Sequence, residues 1–134
     1  MTLVMKRSHY DQIVAHAKEV HPVEACGLLV GSKEAEKRIV SEVRRTPNVL
    51  DSMSRYEVSP EVQLQIFLEA EKRGLEVIGI YHSHPHWAAA PSDIDANLAA
   101  YPNVSYVIYS VSENSIASYV WNGATFLPEK LEIQ

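Results

Sequence analysis

Two histidines, a serine and an aspartate lie close together in IGIYHSHPHWAAAPSDIDANLAA, residues 78 to 100. His82 and His84 stand two apart at the end of an apolar run. In an extended strand alternate side chains share a face, so both imidazoles can reach one ion. Asp95 follows Ser92 by three residues, the spacing of a capping serine and the first turn of its helix. A strand end and a helix start, joined by a loop holding Pro85 and Pro91, can bring two ring nitrogens and a carboxylate together. Two nitrogens and one oxygen, with a fourth position left to water, form the donor set of a catalytic zinc site. A structural site would be closed by a fourth protein ligand, usually cysteine, and Cys26 is the only cysteine in the chain.

Each of these features has an ordinary reading as well. Near-adjacent histidines are commonly solvated surface groups. Ser92 with Asp95 also makes a capping pair, worth about 1 kcal/mol with no further role. Neither ordinary reading asks for His82, His84, Pro85, Ser92 and Asp95 in one ordered spacing.

That spacing (His-Ser-His-Pro, six residues, Ser, two residues, Asp) resembles the signature of the JAMM metalloproteases, the catalytically competent branch of the MPN-domain proteins. The family also places a glutamate upstream, where the first helix meets the next strand. His21-Pro22-Val23-Glu24-Ala25-Cys26-Gly27-Leu28-Leu29 occupies that junction, so Glu24 matches. The resemblance covers essentially the whole chain. It implies one zinc per chain on His82, His84 and Asp95, with Glu24 as general base and Ser92 as donor to the developing oxyanion. It implies an α/β (α+β) domain over residues 1–134, a curved, mostly antiparallel sheet flanked by helices, akin to the cytidine-deaminase-like architecture. A deaminase itself would need His-x-Glu and Pro-Cys-x-x-Cys elements, which are missing.

The implied reaction is cleavage of peptide or isopeptide bonds after the C-terminal Gly-Gly of a ubiquitin-like modifier or a sulfur-carrier protein of the β-grasp fold. The resemblance also suggests a homodimer. Many MPN domains have lost the ligands and serve as scaffolds; a metal-free or weakly active binding module is therefore the alternative, and the intact ligand set opposes it.

The elements that must position these groups are legible in outline. Thr2 to Met5 reads as a strand, and Ser8 with Asp11 as a helix start, with Ile13, Val14, Ala17 and Val20 on one face. Cys26 to Val30, closed by Gly31, and Arg38 to Arg44 suggest a hairpin. Thr46 to Ser54 is the candidate for a long mobile loop. Ser59-Pro60 opens a second helix, with Leu64, Phe67, Leu68 and Ala70 as its buried stripe and Gly74 as its stop. Val77 to Tyr81 reads as a central strand covered on both faces. Ser92 opens a third helix, expected to reach Pro102. Val104 to Val111 and Ile116 to Trp121 read as strands, with Asn122-Gly123 as a two-residue turn into Ala124 to Leu127. A parallel dinucleotide-binding fold is disfavoured, because no Gly-rich turn follows a first strand.

Met53 to Val58 is the expected edge on which an extended glycine tail would pair, which makes Arg55 and Tyr56 substrate-binding candidates. Trp87, beside the histidine motif, either walls the substrate channel or simply packs. Ser83 should point away from the ligand pair and bond locally. His86 reads as a solvated loop residue, His9, His16 and His21 as surface groups, and Cys26 as a small buried hydrophobe.

Composition sets the frame. With 134 residues, 46% of them apolar and 22% charged, the chain can bury a core without a disulfide or a structural metal. A net charge of -5 gives no electrostatic footprint for nucleic acid or an anionic membrane. No window approaches the ~20 apolar residues of a spanning helix. The opening MTLVMKRSHY is not a signal peptide, and one cysteine fits a reducing cytoplasm.

Overall fold

The computed structural model describes residues 1–99 and 101–134. Among these, the chain order is β1 (Thr2–Met5), α1 (Arg7–Val20), β2 (Cys26–Glu34), β3 (Lys37–Thr46), α2 (Pro60–Lys72), β4 (Glu76–His84), α3 (Asp93–Leu98), β5 (Ser105–Ser110), β6 (Ser115–Trp121) and β7 (Phe126–Ile133). The strands form one mixed sheet in the order β1-β3-β2-β4-β5-β6-β7, closed by the pairing of β7 with β1. Pairs β3/β2, β2/β4, β5/β6 and β6/β7 are antiparallel; β1/β3, β4/β5 and β7/β1 are parallel. The mostly antiparallel, curved sheet expected from the sequence thus curls until β7 meets β1.

Curling is helped by irregularities in β2. Its register shifts against β3 between Val30 and Gly31 and against β4 between Leu29 and Val30. Gly31 is required there, since a Cβ would lie 1.9 Å from the Ile39 carbonyl oxygen. The strand runs on past this glycine to Glu34 instead of closing at it.

Two apolar layers result. Leu3, Met5, Leu29, Val40, Ile78, Tyr81, Val107 and Tyr109 pack with Ile13, Ala17 and Ala25. On the other face, Leu28, Val30, Val77, Ile80 and Tyr106 pack against Ile66 and Ala70 of α2. Strand β4 is therefore covered on both faces, as its apolar run predicts.

Several local expectations are corrected. Helix α1 starts at Arg7 after Lys6, not at Ser8; the Arg7 N–H is bonded to the Gln134 carbonyl (2.7 Å), so sheet closure sets the helix start. In α2, Leu64, Phe67 and Leu68 are exposed, while Ile66 and Ala70 are buried. Ile66 and Ala70 pack on Leu28, Val30 and Ile80, and the ion pairs Arg44–Glu69 and Arg73–Glu42 join the helix and its C-cap to β3. Helix α3 ends at Leu98, short of Pro102; residue 100 lies outside the described residues. The β6–β7 turn spans Asn122 to Thr125, with the Asn122 side chain accepting from the Ala124 and Thr125 N–H groups. Strand β7 extends to Ile133 because it pairs with β1 as well as β6. Among the described residues no helix is long and apolar enough to cross a membrane.

Candidate metal centre and its flanking clefts

The antiparallel register of β2 and β4 sets Leu28 opposite Ile80 and Cys26 opposite His82. Residues two apart on a strand share a face, so Ile80, His82 and His84 continue one stripe. The apolar stripe that packs against α2 thus ends in two imidazoles at the mouth of the strand. Their Nε2 atoms are 3.2 Å apart. Asp95, in the first turn of α3, sets Oδ1 3.1 Å from His82 Nε2 and Oδ2 3.0 Å from His84 Nε2. All three residues are buried.

This cluster fits a cation. His84 Nδ1 lies 2.8 Å from the Ala88 carbonyl oxygen, which can only accept, so Nδ1 carries the proton and Nε2 presents a lone pair. Two imidazole nitrogens and a carboxylate then point at one another and need positive charge between them. Donor atoms around a tetrahedral zinc at about 2.0–2.1 Å lie about 3.3 Å from each other, close to the spacing found here. Asp95 Oδ1 and His82 Nδ1 have no hydrogen-bond partner among the described residues. Burial alone would raise the Asp95 pKa, but the two imidazoles and the Ser92 N–H outweigh it and hold the carboxyl well below the usual range. Burial lowers His82, which favours its neutral, ligating form.

Glu24 lies just before β2 and is 1% exposed. Neither carboxyl oxygen has a hydrogen-bond partner among the described residues. Burial, then the nearby Asp95 carboxylate, pushes its pKa up to about 8. Its backbone is fixed on two sides: its N–H donates to Ser52 O (2.8 Å), and Asn48 Nδ2 donates to its carbonyl (3.1 Å). The next residue, Ala25, donates to Ser83 Oγ (2.8 Å) and accepts from the Ser83 N–H (3.0 Å). Ser83 therefore bonds across the sheet, to a residue 58 positions away, and not locally.

Ser92 and Asp95 form the expected cap. Ser92 Oγ accepts from the Asp95 N–H (3.0 Å), and the Ser92 N–H donates to Asp95 Oδ2 (2.9 Å). Asp95 Oδ2 thus serves both the helix cap and His84, while Oδ1 faces His82, and the Ser92 hydroxyl proton is left free to donate.

Each imidazole has an aromatic neighbour. Tyr56 stacks on His82 with centroids 4.3 Å apart, and Trp87 tilts against His84 at 5.6 Å. Two clefts flank the centre. One, of about 340 Å³, is lined by Leu28, Arg55, Tyr56, Ile80, Leu98 and Tyr106 among others. The other, of about 390 Å³, is lined by residues that include His16, Glu24, Thr46, Asn48 and Asp51. The expected open edge over Met53 to Val58 is narrower than anticipated. Val58 bridges Asn48, the Arg55 carbonyl and Glu57 N–H bond the Asn48 side chain, and the Glu57 carbonyl bonds Val49. Among the described residues, the Tyr56 N–H and carbonyl are left unpaired.

Two histidines expected at the surface are buried. His16 Nδ1 lies 2.7 Å from the Tyr81 hydroxyl, and His9 Nδ1 accepts from the Lys6 N–H (3.1 Å). Gly27 makes room for the Tyr81 ring, which a Cβ there would meet at 2.3 Å. His21 and His86 are exposed. Cys26 is fully buried, and burial pushes its thiol up to about 11. Asn48 is the residue that sequence reasoning missed; the Pro47-Asn48 turn signal marks it.

Residues 6–122 match the family described as prokaryotic homologs of the JAB domain. The chain is 33% identical over 121 residues to a desampylase of Haloferax volcanii, covering 87% of this chain and 85% of that protein. It is 33% identical over 115 residues to the CysO-cysteine peptidase of Mycobacterium tuberculosis, covering 83% and 75%. A protein of Desulfitobacterium hafniense, solved in solution, superposes with a TM-score of 0.91 at 30% identity, covering 98% of this chain and 92% of the other. The chain belongs to the prokaryotic JAB-domain family.

Proposed function

We propose that the chain is a zinc-dependent peptidase or isopeptidase that cuts the bond after the C-terminal Gly-Gly of a ubiquitin-like modifier or sulfur-carrier protein. One observation carries this reading: three buried donor atoms converge on one point, and the unpaired carboxyl of Glu24 lies close enough to feel the Asp95 charge. His82, His84 and Asp95 would hold the zinc, which would supply a Lewis acid to polarise a carbonyl and acidify water toward neutrality. Glu24 takes the proton of the attacking water and returns it to the departing amine. Its burial suits both steps, because a carboxyl raised toward neutrality can accept and donate at working pH. The Ser92 hydroxyl donates to the carbonyl oxygen as charge develops on it.

The similarity to a desampylase and a CysO-cysteine peptidase supports a protein tail as substrate. An extended glycine tail has no side chains to read, so its backbone must be gripped. The unpaired Tyr56 N–H and carbonyl offer that grip, with Arg55 at the same cleft and Trp87 beside His84 as the wall next to the scissile bond. Modifier conjugates and loaded sulfur carriers end in the same kind of tail, so one cleft serves either.

A metal-free scaffold of this fold would have no use for a buried, unpaired carboxyl beside three converging donors. Metal analysis of the purified protein should find one zinc per chain. His84→Ala should fold, carry no zinc and release nothing from a β-grasp protein extended beyond its Gly-Gly. Full zinc occupancy in His84→Ala would remove the ligand assignment.

A further inference from the structure

Neither carboxyl oxygen of Glu24 has a hydrogen-bond partner among the described residues, so its aim rests on packing and on its own backbone. That backbone is held by the segment between β3 and α2. Ser52 O accepts from the Glu24 N–H (2.8 Å), and Asn48 Nδ2 donates to the Glu24 carbonyl (3.1 Å). The same amide organises the far side of the segment. Nδ2 also donates to the Arg55 carbonyl (2.9 Å), and Oδ1 accepts from the N–H groups of Glu57 (3.2 Å) and Leu50 (3.1 Å). A primary amide has two donor hydrogens and two acceptor lone pairs, and here each has a partner. Arg55 and Glu57 flank Tyr56, whose ring lies on His82. Asn48 bonds this stretch as a neighbouring strand would, through the carbonyl of one residue and the N–H two further on. The backbone groups of Tyr56, between them, are left unused.

On the reading of Glu24 as base and Tyr56 as grip, we propose that Asn48 is a positioning residue for the reaction: one amide fixes both the backbone that carries Glu24 and the stretch that holds the substrate tail. Asn48 acts through these two residues and touches no reacting atom. Losing its donated bonds frees the Glu24 and Arg55 carbonyls together, so proton transfer and tail binding weaken together. A displacement of about 1 Å in a reacting group can cost about 10²-fold in rate. An asparagine here could also serve its own turn alone, through the bond accepted from the Leu50 N–H. The two roles use different ends of the amide: the turn needs Oδ1, and the hold on Glu24 needs Nδ2.

Asn48→Asp separates them. The carboxylate has the shape of the amide and still accepts from the Leu50 and Glu57 N–H groups, but it donates nothing. With zinc content and melting temperature measured alongside, the variant should lose about 10²-fold in kcat on a β-grasp protein extended beyond its Gly-Gly. It should also bind a synthetic alanine peptide ending in Gly-Gly about tenfold more weakly, in a titration followed at the Tyr56 amide resonance. In a Glu24→Gln background the same substitution should cost no further kcat and still weaken the peptide, because its effect on rate passes through Glu24. A merely damaged fold would lose the same factor of kcat in both backgrounds, and that result would overturn the proposal. Wild-type kcat and peptide affinity in Asn48→Asp would overturn it as well. Wild-type turnover in Glu24→Gln would instead overturn the reading of Glu24 as base, with the peptide affinities left to judge the hold of Asn48 on the Tyr56 stretch.

Discussion

Tyr56 lies flat on His82, with ring centroids 4.3 Å apart and planes within 17°. The contact matters because the two histidines are oriented by different means. His84 is held by its Nδ1 hydrogen bond to Ala88, whereas His82 Nδ1 has no partner among the described residues. The Tyr56 ring instead covers one face of the His82 ring. Outer contacts of this kind typically change metal affinity by about 10- to 100-fold. Tyr56→Phe should leave zinc affinity unchanged, and Tyr56→Ala should weaken it by about tenfold. Competition with a chromophoric chelator measures both.

Glu24→Gln should keep zinc and lose about 10²–10⁴ in turnover, since the amide cannot take the proton of water. The same pair of proteins yields a pH test in the metal-free state. The folded pKa of Glu24 is about 8 against an ordinary 4.5, so between those values the folded form holds a proton that the unfolded form has lost. Its contribution to stability is therefore fully present below about pH 4.5 and is lost as pH rises through about 8. Melting temperatures of the stripped wild type should fall relative to stripped Glu24→Gln across that window. Parallel curves would show that the carboxyl is not buried as described.

Ser92 caps α3, and the proposed mechanism gives its hydroxyl a second role. Ser92→Ala removes the cap to the Asp95 N–H, costing about 1 kcal/mol of stability, and removes the hydroxyl donor, costing about 10²–10³ in turnover. Ser92→Asp should restore the cap and leave turnover low. Thermal melts alongside turnover numbers distinguish the two effects.

Inside the barrel, far from the metal centre along β4, Arg38 reaches Glu129 (3.3 Å) and Ser105, and Ser118 donates to Glu129 (2.7 Å). Both charged side chains are almost fully buried. Glu129→Ala would strand the guanidinium without a counter-charge and should destabilise the protein by about 3–5 kcal/mol. Denaturant unfolding measures it, with zinc content unchanged.

The sequence by itself determined which residues could do the chemistry and which elements carry them. Period two on an apolar strand is enough to put His82 and His84 on one face, and Ser92 three residues before Asp95 is enough to write the helix start. Both are local rules, set by backbone geometry within a few residues. The tertiary structure decided what depends on distant partners. It turned α2 so that Ile66 and Ala70 face the sheet and Leu64, Phe67 and Leu68 face water, because Leu28, Val30, Val77, Ile80 and Tyr106 supply the apolar surface that covers them. It buried His16 against Tyr81 and clamped Ala25 to Ser83, which no neighbouring residue foretells. It brought Glu24 close enough to Asp95 to feel its charge and laid Tyr56 on His82. Such contacts join residues many positions apart, and only the register of the closed sheet and the fold of the 47–58 loop select them from the many pairings that local pattern permits.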